Sequence, residues 1–269
     1  MIMKTLIKIL LIVLAVALIG FVVWHFVNKD DTTVIGPTAK TEYVKQIADR
    51  SEKVIDKVDD YNQAKLNFID LENEILAGKV NGTHSEEEIK NAQEFIVFYF
   101  APKHIKHANE HFAGSEWSTE EVMEIKKMAE HLLDYQVIED SAANRTGLNK
   151  VITVADHYAA ARALASSSPR CSSAAQVKSI ISKVNAYKNE DPLKNCTQLR
   201  NDLDGAVNRA VNNYASSVAG QLNSIANQMA SSDDPGALRQ KADGIYREFS
   251  TLGRPNSAVN AAYNRVKSF

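Results

Sequence analysis

Residues 203–229 read LDGAVNRAVNNYASSVAGQLNSIANQM. Leu203, Val207, Val211, Tyr214, Val218, Leu222, Ile225 and Met229 recur at steps of three and four. Only a helix of 3.6 residues per turn keeps such positions on one side. The stripe is continuous over many turns, and small residues lie between its members. The segment therefore reads as a long helix that packs closely against others, and it sets the fold class as all-α.

The flanks carry the same signature. Upstream, a helix is expected at about Ala174–Asn189, and Asp191-Pro192 reads as a cap with a first-turn proline. Downstream, Asp234-Pro235 opens a helix that Gly253 ends, and Pro255 opens a last one through Val266. Nearer the N-terminus, Gly36-Pro37-Thr38 precedes a helix expected to run to about Ala77 and to stop at Gly78. Ile47, Val54, Tyr61, Phe68 and Ile75 recur in it every seven residues. Ser51, Lys65 and Glu72 interrupt the seam, which suits a bundle better than a long dimeric coiled coil.

Ser85-Glu86-Glu87-Glu88 and Ser118-Thr119-Glu120-Glu121 are two capping boxes. The first opens a helix rich in aromatics from Phe95 to Phe100, with a kink or restart expected at Pro102. The second opens one carrying Val122, Ile125, Met128, Leu132, Tyr135 and Ile138. A break is expected at Thr146-Gly147, before a further helix from Leu148 to Ala165. Phe95–Phe100 has the composition of a buried strand, but it lies between a capping box and a helical continuation.

Ser166-Ser167-Ser168-Pro169 divides two antiparallel bundles, expected over residues 38–165 and 173–269 with 166–172 as linker. Charge divides there too. Residues 29–165 hold 16 Lys/Arg against 25 Asp/Glu, whereas residues 166–269 hold 13 against 8. A solvated helical surface accounts for this more simply than partner selection. The distal arginines are spread out and mixed with acids, so nucleic acid is not expected as a partner.

Before the bundles lies ILLIVLAVALIGFVVWHFV, residues 9–27, without a formal charge. Nineteen residues in a helix span roughly 28 Å, close to a bilayer's hydrocarbon thickness. Lys4 and Lys8 precede it and Asp30-Asp31 follow, which puts the tail of residues 1–8 in the cytoplasm and the bulk outside. Residues 28–37 then form a juxtamembrane linker. Cleavage at Ala15-Val16-Ala17 is the rival reading. It would leave a short apolar core and an apolar new N-terminus, so an uncleaved anchor is preferred.

Candidate sites are few. His104, His107 and His111 share one helix face, with Glu110 adjacent. Such a face offers imidazoles to zinc or copper, or makes a pH-sensitive patch. Lys103 and Lys106 oppose a metal, and the His-Glu-x-x-His order of metallohydrolases is absent. A surface histidine patch is the simpler expectation.

Cys171 and Cys196 form a candidate disulfide, favoured outside the cytoplasmic membrane. If Ala174–Asn189 is one straight helix followed by a tight reversal, the sulfurs lie roughly 24 Å apart. The bond then needs residues 190–196 to run back along the helix, or the helix to break. Both outcomes stay open.

Three Asn-x-Thr sequons begin at Asn81, Asn144 and Asn195, and they matter only where the source glycosylates. Asp59-Asp60 reads as ordinary solvated charge. Asn208, Asn212, Asn223 and Asn227 beside the long stripe are expected to face water.

No Gly-x-Ser-x-Gly elbow or phosphate-cradling glycine loop occurs in the sequence. The expected function is a membrane-anchored, extracytoplasmic helical interaction or assembly subunit of a cell-envelope complex, without enzymatic activity. It would hold the membrane through residues 9–27 and a protein partner, or a second copy, through the bundles. The alternatives are a metal- or pH-responsive protein using the histidine face, and a helical ligand-sensing domain that signals through a membrane partner.

Overall fold

The computed structural model describes residues 37–269. The expected anchor at residues 9–27 lies outside them. No described helix is long and apolar enough to cross a membrane. The described residues are all-helical and contain no strand. Ten α-helices follow in order: α1 Glu42–Ser51, α2 Tyr61–Val80, α3 Glu86–Ala113, α4 Thr119–Leu133, α5 Gln136–Glu139, α6 Ala142–Ser166, α7 Ala174–Asn189, α8 Thr197–Met229, α9 Pro235–Ser250 and α10 Ser257–Lys267.

Capping fixes most of the starts. Side-chain oxygens of Thr41, Asp60, Ser85, Ser118, Ser141, Ser173, Asp234 and Asn256 each accept a first-turn amide. Ser85 and Glu88 form the full reciprocal box. At Ser118 the box is half made. The hydroxyl accepts from Glu121 N (3.1 Å), but the Glu121 carboxylate takes the Ser118 hydroxyl rather than its amide (2.8 Å).

Several boundaries differ from expectation. The helix expected over 38–77 is broken. After α1 one π-helical segment, Glu52–Asp56, leads to a gap that Asp60 closes by capping α2 through Gln63 N (2.7 Å). Asp60 is therefore a cap, not a merely solvated charge. α1 and α2 both pack on α3, and the seven-residue seam is kept in part: Val54 and Tyr61 are only half-buried, and Ile55, next to Val54, turns inward instead. Ile47, Ile55, Phe68 and Ile75 are all essentially inaccessible. Each such side chain is worth about 1.5–3 kcal/mol of burial.

Helix α3 runs through Pro102, which is exposed, without restarting. Nor does Gly147 break α6. A Cβ there would come within 2.7 Å of Ile105 Cδ1, so the missing side chain lets α6 approach α3. The break lies earlier, between Leu133 and Ala142, where α5 makes a single turn.

Helix α8 is the axis of the distal half and touches α6, α7, α9 and α10. All eight residues of its stripe are buried, as are Ala206, Ala210, Ala215, Ala219 and Ala226. The small alanines permit that close packing. Asn208, Asn212 and Asn227 face solvent as expected. Asn227 Oδ1 accepts from Arg265 (2.6 Å).

One contiguous set of buried side chains runs from Ile47 to Val266 and so crosses the serine-rich segment. Arg209 Nε donates to Ser167 O (2.9 Å), and its guanidinium also reaches Ala165 O. Asn213 donates to Pro169 O (3.1 Å). Arg162 pairs with Asp202 across the same junction. Residues 165–169 are thus tied to α8 by their own backbone carbonyls.

Candidate functional site

The three histidines of α3 stand in three different environments, and they do not form a surface patch. His104 is 0% exposed. Its Nε2 lies 3.0 Å from Ile125 O, and its Nδ1 lies 2.7 Å from the Tyr61 hydroxyl. A carbonyl only accepts, so Nε2 carries the proton and Nδ1 accepts from Tyr61. The ring is neutral with a fixed tautomer. Burial drives its pKa down to about 4, against the raising effect of the Ile125 bond. Burial, with Glu124 nearby, pushes the Tyr61 phenol well above its usual range. The chain Tyr61–His104–Ile125 joins α2, α3 and α4.

His107 stacks on the Tyr61 ring, with centroids 3.7 Å apart and planes 5° from parallel. Burial first and the neighbouring His111 second lower its pKa. His111 lies against Trp117, with centroids 6.2 Å apart. Its Nε2 is enclosed and has no hydrogen-bond partner among the described residues. Such an orphaned group costs about 1–3 kcal/mol. Burial lowers its pKa too, with Glu121 opposing.

This arrangement gives no support to the alternative of a zinc or copper site on His104, His107 and His111. Both nitrogens of His104 are already committed, which removes one of the three ligands. Among the described residues no group of three or more His, Cys, Asp or Glu side chains is placed to hold a metal ion.

Two hollows adjoin the histidines. One of about 230 Å³ is lined by Tyr61, Asn62, Lys65, His107, His111, Glu121, Glu124 and Ile125. Lys65 and Glu124 face each other across it at 3.4 Å. The larger, about 810 Å³, shares His111 and Glu121 and adds Ser115, Glu116, Trp117, Ser118, Thr197, Gln198 and Asn201. It is a cleft between the α3–α4 loop and the start of α8. Thr197 N donates to Ser115 O (3.1 Å) and fixes its two walls together. Trp117 is held by Nε1 donating to Gly114 O (2.9 Å), while its own carbonyl accepts from Tyr158 (3.1 Å).

Sequence reasoning missed a second polar cluster. Glu72 accepts from His131 Nε2 (2.8 Å) and from the Tyr135 hydroxyl, joining α2 to the end of α4. Burial pushes the Glu72 carboxyl up, but the two hydrogen bonds outweigh it and hold the group below its usual range. The bond to Glu72 raises His131 against its own burial. The signal was present: Glu72 interrupts an apolar seam, and His131 and Tyr135 stand one helical turn apart.

Cys171 and Cys196 are both buried and unbonded, so the candidate disulfide is not formed. Helix α7 is unbroken, and Leu193–Asn195 makes a 3₁₀ turn, packed on α7, that leads into α8. Burial raises the Cys171 thiol.

No protein-family model matches the chain, and neither a curated protein nor a solved structure matches it.

Proposed function

We propose that this chain is a non-enzymatic interaction subunit of a cell-envelope complex, anchored by residues 9–27 with its helical region outside the cytoplasmic membrane. One observation carries the reading. Leu66, Leu76 and Val80 on α2 are 57%, 41% and 85% exposed. With the partly buried Ile69 they fall on one side of the helix, away from Phe68, Leu71 and Ile75 in the core. Exposed Asn73 falls among them, so the side carries four apolar side chains spread over about four turns, which match a helix laid alongside. The occupant that fits best is an amphipathic helix of a partner protein.

The test is purification of the full-length protein from its native membrane in mild detergent, with cross-linking and mass spectrometry. A stoichiometric partner cross-linked near α2, and lost from the double variant Leu76→Glu, Val80→Glu, supports the reading. The same partner recovered in equal yield with that variant, or a monomer with none, overturns it.

A further inference from the structure

We infer that the helix laid on α2 is α2 of a second copy of this chain, in a short parallel two-stranded coiled coil centred on Asn73. This rests on the interaction reading and names its partner.

Spacing carries the argument. Leu66, Ile69, Asn73, Leu76 and Val80 follow one another at steps of three, four, three and four. That is the alternation of a heptad, with Leu66, Asn73 and Val80 at a, and Ile69 and Leu76 at d. The seam is distinct from the one that holds Phe68 and Ile75, which is spent on the core. Of its five members four are exposed and Ile69 is half-buried.

Asn73 selects the occupant. A single amide at an a position suits a two-stranded parallel pair, because there it meets its own symmetry mate. Each amide both donates and accepts, so the two satisfy each other. An apolar stripe of unrelated sequence would leave Asn73 unpaired at the centre of the seam. An antiparallel pair sets a opposite d, so Asn73 would meet Ile69 or Leu76. With the proposed anchors in one membrane, both copies also start from the same side.

Charge agrees. In a parallel pair the g position of one helix meets the following e position of the other. Lys65 stands at g and Asp70 at e, so opposite charges meet on both flanks. Glu72 at g meets Ala77 at e, and no like charges are brought together. Asp70 is exposed. Lys65 lies 3.4 Å from Glu124, and an ammonium with three donors can serve a second carboxylate as well.

The seam from Leu66 to Val80 is about 21 Å long, too short to hold two free peptides together. Here α2 is already folded against α3 and tied to α4 through Glu72 and His131, so pairing carries no cost of ordering the helix. Anchors in a common membrane raise the effective concentration of one copy around another.

The experiment uses the full-length chain in its native membrane. Leu66→Cys, Asn73→Cys and Val80→Cys are each oxidised with copper phenanthroline and run on a gel without reductant. The parent chain, whose own cysteines are buried, is run beside them. Glu74→Cys, on the flank where Glu74 pairs with Arg50, is the control for random collision. In a parallel, in-register pair each new thiol meets its own copy, so all three variants give a disulfide-linked dimer and the control does not. Adding Leu76→Glu and Val80→Glu to Leu66→Cys should abolish that dimer. Dimer from Asn73→Cys without dimer from Leu66→Cys and Val80→Cys overturns the parallel pairing. Yields no higher than that of Glu74→Cys, with a different protein cross-linked at α2, overturn the inference and leave the interaction reading standing. Neither dimer nor partner overturns both.

Discussion

The Tyr61 hydroxyl donates to His104 Nδ1 at 2.7 Å, and His104 Nε2–H donates to the carbonyl of Ile125 at 3.0 Å. One buried ring thereby satisfies a phenol on α2 and a backbone carbonyl on α4. Tyr61→Phe removes the only donor to Nδ1 among the described residues and leaves that nitrogen without this bond. The expected loss is about 1–2 kcal/mol, read as a lower urea midpoint with unchanged slope. An unchanged midpoint would show the bond to be dispensable.

His104 also sets an acid limit. Its folded pKa, about 4, lies below the ordinary value of 6.5. The folded state therefore binds fewer protons than the unfolded chain in this window. The stabilisation is complete above the unfolded pKa and is lost as pH falls from 6.5 through 4. The shift corresponds to roughly 3 kcal/mol. Urea melts at intervals between neutral pH and pH 4 measure it, and the His104 ring signal in NMR should titrate only near the lower end. A His104 signal that titrates near its ordinary pKa refutes the assignment.

His131 behaves in the opposite sense. Its pKa is raised by Glu72, so the pair stabilises while His131 is protonated and fades as pH rises through that raised value. Glu72, held low, sets the acid side of the same window. The histidine side chain is 42% exposed, so solvent screening limits the effect to about 1 kcal/mol. Glu72→Gln should cost most in mildly acidic solution and progressively less on the alkaline side. A cost independent of pH would mean that the hydrogen bond, not the charge, matters.

Gly147 and Gly220 make a matched pair. Both lie inside helices, but a Cβ at Gly147 would meet Ile105 Cδ1, Cγ2 and Cγ1 at 2.7, 3.1 and 3.2 Å, whereas one at Gly220 meets nothing within 4 Å. Gly220→Ala should stabilise by about 0.5–1 kcal/mol through helix propensity. Gly147→Ala should instead destabilise by about 1 kcal/mol, because overpacking exceeds that gain. Thermal melts of the two variants decide it, and a stabilised Gly147→Ala would show that α3 and α6 part easily.

Cys171 and Cys196 should behave as two separate buried thiols. A thiol reagent should label neither at an appreciable rate in the folded protein and both after unfolding without reductant. Dithiothreitol should leave the melting temperature unchanged. Protection from labelling after non-reducing unfolding would reveal a disulfide.

The apolar periodicity of residues 203–229 was enough to read α8, because burial on one face of a helix leaves a mark at every third or fourth position. Ser85, Ser118 and Asp234 marked helix starts for the same local reason: a cap acts within one turn. The histidines were misread from spacing alone. His104, His107 and His111 share a face, but Tyr61 and Ile125, from two other helices, turn one ring inward and engage both its nitrogens. Spacing along a single helix carries no record of what packs against it. Gly147 was taken for a helix breaker, yet its role is set by Ile105, 42 positions away in the sequence. Composition and pattern determined that the described region is helical and where most of its helices begin. Which polar groups are buried, which thiols stay apart and where the cleft opens were decided by tertiary packing, because those properties belong to pairs of residues that only the fold brings together.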